Sequence, residues 1–184
     1  MAYRKTEKVL AQLEAKRNSL IASAIDVIEK VGLDGLTTDL VCERAGVAAG
    51  LLYRYFPDKT ELLAAVAIHL LNRDISAIRD AVEGNRKQSD ALEIGLRTLI
   101  ERAVSNYSIV SEASKLPLYR EGLKRELRSL IQGAGVTGRP FIFDSLALGA
   151  ILETAGSLGP KGLEELASAL LRSFGMRVKA GAVV

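Results

Sequence analysis

The side chains able to do chemistry in this chain are few. There is one histidine, His69, and one cysteine, Cys42, so no imidazole or thiolate cluster exists to hold a metal ion. His69 stands in an apolar helical run, where an imidazole is a core or pocket residue more often than a base. A Ser-His-Asp set can be drawn from any chain of this size, and here no strand–turn–helix elbow presents a nucleophile. Residues 133–138, GAGVTG, fit the spacing G-x-G-x-x-G, and Glu153 follows at roughly the distance of a ribose-binding acid. That spacing cradles a pyrophosphate only between a strand and a helix of a βαβ unit. A charged helical stretch precedes it here and Arg139-Pro140 follows, so it reads as a helix–helix loop. Neither catalysis nor a cofactor nor a metal is expected.

Binding chemistry is concentrated elsewhere, in residues 37–56, TTDLVCERAGVAAGLLYRYF, and the PDKTEL that follows. Thr37 or Thr38 can cap a short helix in which Val41, Cys42 and Ala45 recur at helical spacing. Gly46 stops that helix where a left-handed residue is easy. A second short helix then carries Leu52 and Tyr55 inward and Tyr53 and Arg54 outward. Pro57 ends it, and Asp58 with Glu61 forms a variant capping box for the next helix. Two short helices joined through a glycine form a helix-turn-helix. Its shared core is expected to be Val41, Cys42, Ala45, Val47, Leu52 and Tyr55.

The run GLDGLTTDLVCERAGVAAGLLYRYFPDKTELL resembles the DNA-binding domain of the TetR family of bacterial transcriptional regulators, over about residues 16–66. The resemblance implies that the second helix lies in the major groove while neighbouring groups grip phosphates. Thr37 and Thr38 would then offer hydroxyl and backbone N–H groups to phosphate. Gly50 would let the backbone approach the duplex, Tyr53 and Tyr55 would bring phenols, and Lys59 would be a further phosphate clamp. The chain departs from the family where Ser-Lys often precedes Gly50, having Ala48-Ala49, and where Thr is frequent, having Leu51. Asp39 lies where a basic residue often reads a base. Leu51 can still meet a thymine methyl and Arg54 a phosphate or guanine, so DNA binding is expected without a borrowed operator sequence.

Stepping outward, 184 residues suffice for a real core, and low proline with abundant Ala and Leu favours helix. The formal charge is +3. Residues 1–18 carry Arg4, Lys5, Lys8, Lys16 and Arg17 against Glu7 and Glu14, so the excess lies in this basic arm. Such an arm is either a phosphate or minor-groove contact or a solvated terminus. A charged N-terminus, one cysteine and no apolar run longer than about residues 62–71 point to a cytoplasmic protein without membrane association.

The periodicity predicts an all-α chain of about nine helices: residues 6–31 (stripe Leu20, Ile21, Ala24, Ile25, Ile28, Val31), the helix-turn-helix, 59–83, 90–107, a short piece to 115, 119–131, 141–158 and 163–178. The charged 119–131 helix reads as a solvated face. Residues 1–60 are expected to form the DNA-binding domain and 61–184 a helical effector-binding and dimerisation domain. By resemblance the last two helices pair with a second subunit, drawing on Gly149, Ala150, Gly156, Leu170, Leu171 and Phe174. Candidate pocket groups are His69, Arg97, Glu101, Tyr107 and Glu153. The expected function is a homodimeric repressor, released from a palindromic DNA operator by a small-molecule effector. The alternative is a helical ligand-binding or protein-interaction module whose helix-turn-helix no longer binds DNA.

Overall fold

The structure is a computed structural model that describes residues 2–84, 90–135, 140–157 and 160–174. The described residues are helical throughout, with no strand. The order is α1 (Ala2–Gly35), α2 (Thr38–Ala45), α3 (Ala49–Tyr55), α4 (Lys59–Glu83), α5 (Ala91–Ser105), α6 (Tyr107–Ser114), α7 (Pro117–Gly133), α8 (Pro140–Thr154) and α9 (Pro160–Ser173), with a 3-10 turn at Ala155–Ser157. The chain divides into two compact units, Met1–Leu70 and Leu71–Val184. The division falls inside α4, and the expected boundary after residue 60 lies in that helix's first turn.

In the first unit, Leu20, Ile21, Ala24, Val27 and Ile28 are the buried apolar side chains of α1. Val31 was expected on this stripe but is exposed, and Val27 takes its place. Gly32 interrupts α1 with φ 76°, a backbone that favours glycine, and one more turn follows before Leu36 drops into the core. The helix also runs further toward the N-terminus than the expected start at residue 6, and Val9, Leu10 and Leu13 in its early turns are exposed. The basic arm is thus helix, and the side chains of Arg4 and Lys5 lie outside the described residues.

The second unit is built around α7, which packs against α5, α6 and α8. Proline at the first helical position starts it two residues earlier than expected, because that position has no intrahelical acceptor to lose. Arg120, Glu121 and Arg125 are exposed on the expected solvated face, while the opposite side of the helix is core. Tyr119, Gly122, Leu123, Leu127 and Ile131 form a buried stripe at helical spacing. Among its charges, Glu126 accepts from Arg79 (2.9 and 2.8 Å) and Arg128 donates to the fully buried Asp144 at 2.6 Å. The GAGVTG run begins in the last residue of α7 and α8 follows it. Its residues 136–138 lie outside the described residues, and the flanking helices leave no βαβ frame.

Among the described glycines of this unit, Gly122 has the tightest surroundings. A Cβ there would fall 2.1 Å from Leu71 Cδ2 and 2.9 Å from its Cγ. Gly122→Ala should therefore lower the unfolding free energy by about 1–2 kcal/mol through overpacking, measurable by urea titration, despite alanine's better helix propensity. An unchanged or raised midpoint would mean that Leu71 rotates aside freely.

Candidate nucleic-acid interface

The interface is set by how α2 ends and α3 begins. Thr37 is the N-cap of α2, its hydroxyl oxygen accepting the Leu40 N–H at 3.2 Å. Gly46 closes α2 in the left-handed region (φ 63°, ψ 40°), donating to the carbonyls of Cys42 and Glu43, and the Val47 N–H returns to Cys42 O at 3.0 Å. Only a residue tolerating positive φ turns the chain this sharply, and α3 starts three residues later. Val41 and Cys42 on α2 and Leu52 on α3 are buried, while Ala45, Val47 and Tyr55 are half-buried. Burial, and secondarily the charge of Asp39, pushes the Cys42 thiol up from its ordinary value, as suits an inert core residue.

Leu52 is the one buried residue of α3, and most of this helix stands outward. Ala48, Ala49, Gly50, Tyr53 and Arg54 are exposed and Leu51 is half-buried. Tyr53 is 47% exposed, and its hydroxyl shares a 3.2 Å hydrogen bond with the Thr38 hydroxyl. This bond joins the first turn of α2 to the middle of α3 and fixes the phenol on the shared outer surface. Tyr55 takes a different place, lining a groove with Leu10, Leu13, Glu14 and Arg17 of α1.

Lys59 is exposed at the start of α4, but Asp58 already fills the cap there, accepting the Glu61 N–H at 2.9 Å. The expected Asp58 cap is therefore present, and Lys59 is a point charge beside a capped helix end. Sequence reasoning missed Phe56, which is 2% exposed and carries the Arg17 guanidinium 5.1 Å from its ring centroid. The signal was its place directly after α3, where an aromatic anchors the chain before Pro57.

The expected effector and dimer residues are scattered. His69 and Glu101 are exposed. Arg97 is tied up structurally, donating to Glu93 at 3.0 Å and to both carboxylate oxygens of Glu164, so it joins α5 to α9. The hydrogen bond from Arg97 holds the Glu164 carboxyl below its usual range. Tyr107 lays its ring on Gly156, where a Cβ would fall 2.4 Å from ring carbon Cζ. The close approach expected of Gly156 is therefore made within the chain. Leu171 and Phe174, expected at a subunit seam, are 1% and 7% exposed and belong to the unit's own core. Gly149, Ala150 and Leu170 remain partly open, and Leu146 of α8, not anticipated, is 63% exposed.

Residues 20–66 match the family described as bacterial regulatory proteins, tetR family. Within the first unit, then, the helix-turn-helix matches the TetR family's DNA-binding domain. Among curated relatives, an uncharacterized HTH-type transcriptional regulator, YvdT, of Bacillus subtilis (strain 168) is 31% identical over 83 residues, 45% of this chain and 43% of YvdT. The HTH-type transcriptional regulator BetI of Pseudomonas paraeruginosa (strain PA7) is 30% identical over 102 residues, 54% of this chain and 50% of BetI. The chain thus spans about half the length of the curated relatives it matches. A crystal structure of RolR in complex with the ligand resorcinol superposes with a TM-score of 0.65 at 20% identity, covering 91% of each chain, so the likeness of fold extends over the second unit as well. Among the described residues no helix is long and apolar enough to cross a membrane.

Proposed function

We propose that this protein is a cytoplasmic, homodimeric TetR-family transcriptional repressor that binds a palindromic operator and is released by a small molecule. The observation that carries the DNA-binding part is the outward face of α2 and α3. Thr38 and Tyr53 are fixed together on it, Gly50 is open above it, and Arg54 and Lys59 supply its positive charge. Tyr53, Thr37, Thr38 and Lys59 are assigned to phosphates, and Leu51 and Arg54 to base edges. Because Ala48 and Ala49 carry no donors, specificity falls largely to thymine methyls and groove shape.

Gly50 offers a direct check. A Cβ there would meet nothing within 4 Å, so packing within the protein does not require glycine. Glycine inside a helix is less stable than alanine by roughly 0.5–1 kcal/mol. Gly50→Ala should raise the thermal midpoint of the first unit and at the same time weaken DNA binding. A stabilised variant with unaltered affinity would remove the close backbone approach from the account.

Dimerisation is supported by α8, whose sequence PFIFDSLALGAILET is apolar on nearly every side although Leu146 is exposed. A second copy covering Leu146 and Ala150 would bury that side. Two recognition helices would then stand about 34–36 Å apart, matching successive major grooves on one face of the duplex. Release follows from linkage: an effector that prefers one of two conformers shifts the DNA equilibrium by its differential affinity. The continuity of α4, whose residues belong to both units, supports this route.

The test is fluorescence anisotropy on the duplex upstream of the protein's own coding region, at two salt concentrations. Tight binding that resists competitor DNA and weakens with salt is the expected result. Absence of binding to any duplex at low salt would favour the degenerate interaction module.

A further inference from the structure

A groove of about 300 Å³ lies in the second unit between α6, α7 and α8. Its apolar part is supplied by Leu148, Gly149 and Leu152, and its charged part by Arg120, Lys124 and Glu153. Lys124 is neutralised by Glu121 at 3.0 Å. Arg120 acts on Glu121 only at longer range, and among the described residues neither Arg120 nor Glu153 forms an ion pair, with each other or with anything else. One unpaired cation and one unpaired anion therefore border the same apolar recess without closing on one another.

Gly149 points the same way. It sits in the interior of α8, where glycine is disfavoured, and a Cβ on it would meet nothing within 4 Å. Among the described residues no neighbour demands its small size, so the space it leaves belongs to the groove. This face of α8 (Ser145, Gly149, Leu152) is separate from the ridge of Leu146 and Ala150 assigned to a second copy. The volume lies at the small end of ligand cavities.

We infer that this groove binds a small zwitterion with an apolar body, of the amino-acid class. The carboxylate pairs with Arg120, the ammonium with Glu153, and the aliphatic side chain lies over Gly149 against Leu148 and Leu152. A guanidinium suits a carboxylate because its fork can donate two parallel hydrogen bonds. In identifying this ligand with the effector, the inference rests on the regulatory role proposed above.

The experiment titrates the full-length protein, without DNA, with leucine, valine, methionine and phenylalanine at millimolar concentrations, following backbone amide shifts by NMR. For each, the carboxylate lacking the amine and the amine lacking the carboxylate are the controls (for leucine, 4-methylpentanoate and 3-methylbutylamine). At least one amino acid should saturate with shifts at α7 and α8 groove positions, and its binding should exceed that of its truncated forms by about tenfold. Arg120→Gln should erase the advantage over the amine, and Glu153→Gln the advantage over the carboxylate. Both side chains are exposed, so both variants should fold. Gly149→Leu should block the groove. No saturation by any of the four, truncated forms binding equally well, or indifference to Arg120→Gln and Glu153→Gln would each overturn the assignment. Saturable groove binding in a protein that ignores DNA would support it while counting against the regulator, so the two fail separately.

Discussion

Asp74→Ala is expected to destabilise the second unit by about 3 kcal/mol, the scale for removing one partner from a buried charge cluster. Asp74 is 1% exposed and is the acceptor for three side chains from three helices. Its Oδ1 takes hydrogen bonds from Arg102 Nε (2.8 Å) and Nη2 (2.5 Å) and from Arg73 Nε (3.2 Å), and its Oδ2 takes one from the Tyr119 hydroxyl (2.6 Å). Without the carboxylate, two guanidinium groups and a buried phenol lose their acceptor together. Arg73 Nη2 is already buried with no partner, so nothing nearby is ready to replace it. Urea unfolding followed by circular dichroism measures the effect, and Asp74→Asn, which keeps an acceptor but not the charge, should fall between wild type and alanine.

Tyr119 adds a pH signature to the same cluster. Burial first, and the Asp74 charge second, push its phenol well above the ordinary value of 10.0. A raised folded-state pKa gives stability that is complete below the unfolded value and lost as pH rises beyond it. Stability of the second unit should therefore decline above about pH 10, and Tyr119→Phe should remove that decline while costing about 1 kcal/mol at neutral pH. An alkaline decline of equal size in Tyr119→Phe would assign it to other groups.

The second large effect is on DNA. Tyr53→Ala combined with Lys59→Ala should weaken operator binding by about 100-fold, two contacts at roughly 1–1.5 kcal/mol each. The lysine change should also reduce the slope of log affinity against log salt by about one, because one fewer counterion is released. Both residues are exposed, so the helical content of the variant should match wild type. Loss of affinity with an unaltered salt slope would place Lys59 away from the phosphates.

How far these features were legible differs between the two units. The helix-turn-helix is written in local punctuation: a capping threonine, a left-handed Gly46, Pro57 and a capping Asp58 each act within a few residues, so the sequence alone locates α2, α3 and the start of α4. The Thr38–Tyr53 hydrogen bond was not legible, because it depends on how α2 and α3 cross. In the second unit the helices were legible, but their partners were not. Asp74 continues the stripe of Val66, Leu70 and Ile78 on α4, and an acid on an apolar stripe is the one signal that could have disclosed the buried cluster. Leu171 and Phe174 show the converse limit: an apolar stripe does not say whether its own chain or a second copy covers it. The pairing of Arg97 with Glu164 joins residues far apart in sequence, which no local pattern reveals.

The central claim is that the outer face of α2 and α3 reads DNA as part of a two-fold assembly. Selection of bound duplexes from a random-sequence pool, sequenced after several rounds, tests it most directly. The account predicts enrichment of an inverted repeat whose half-site centres lie about one helical turn apart, lost when Tyr53 and Lys59 are both alanine. Recovery of an unenriched pool by a folded protein would contradict it.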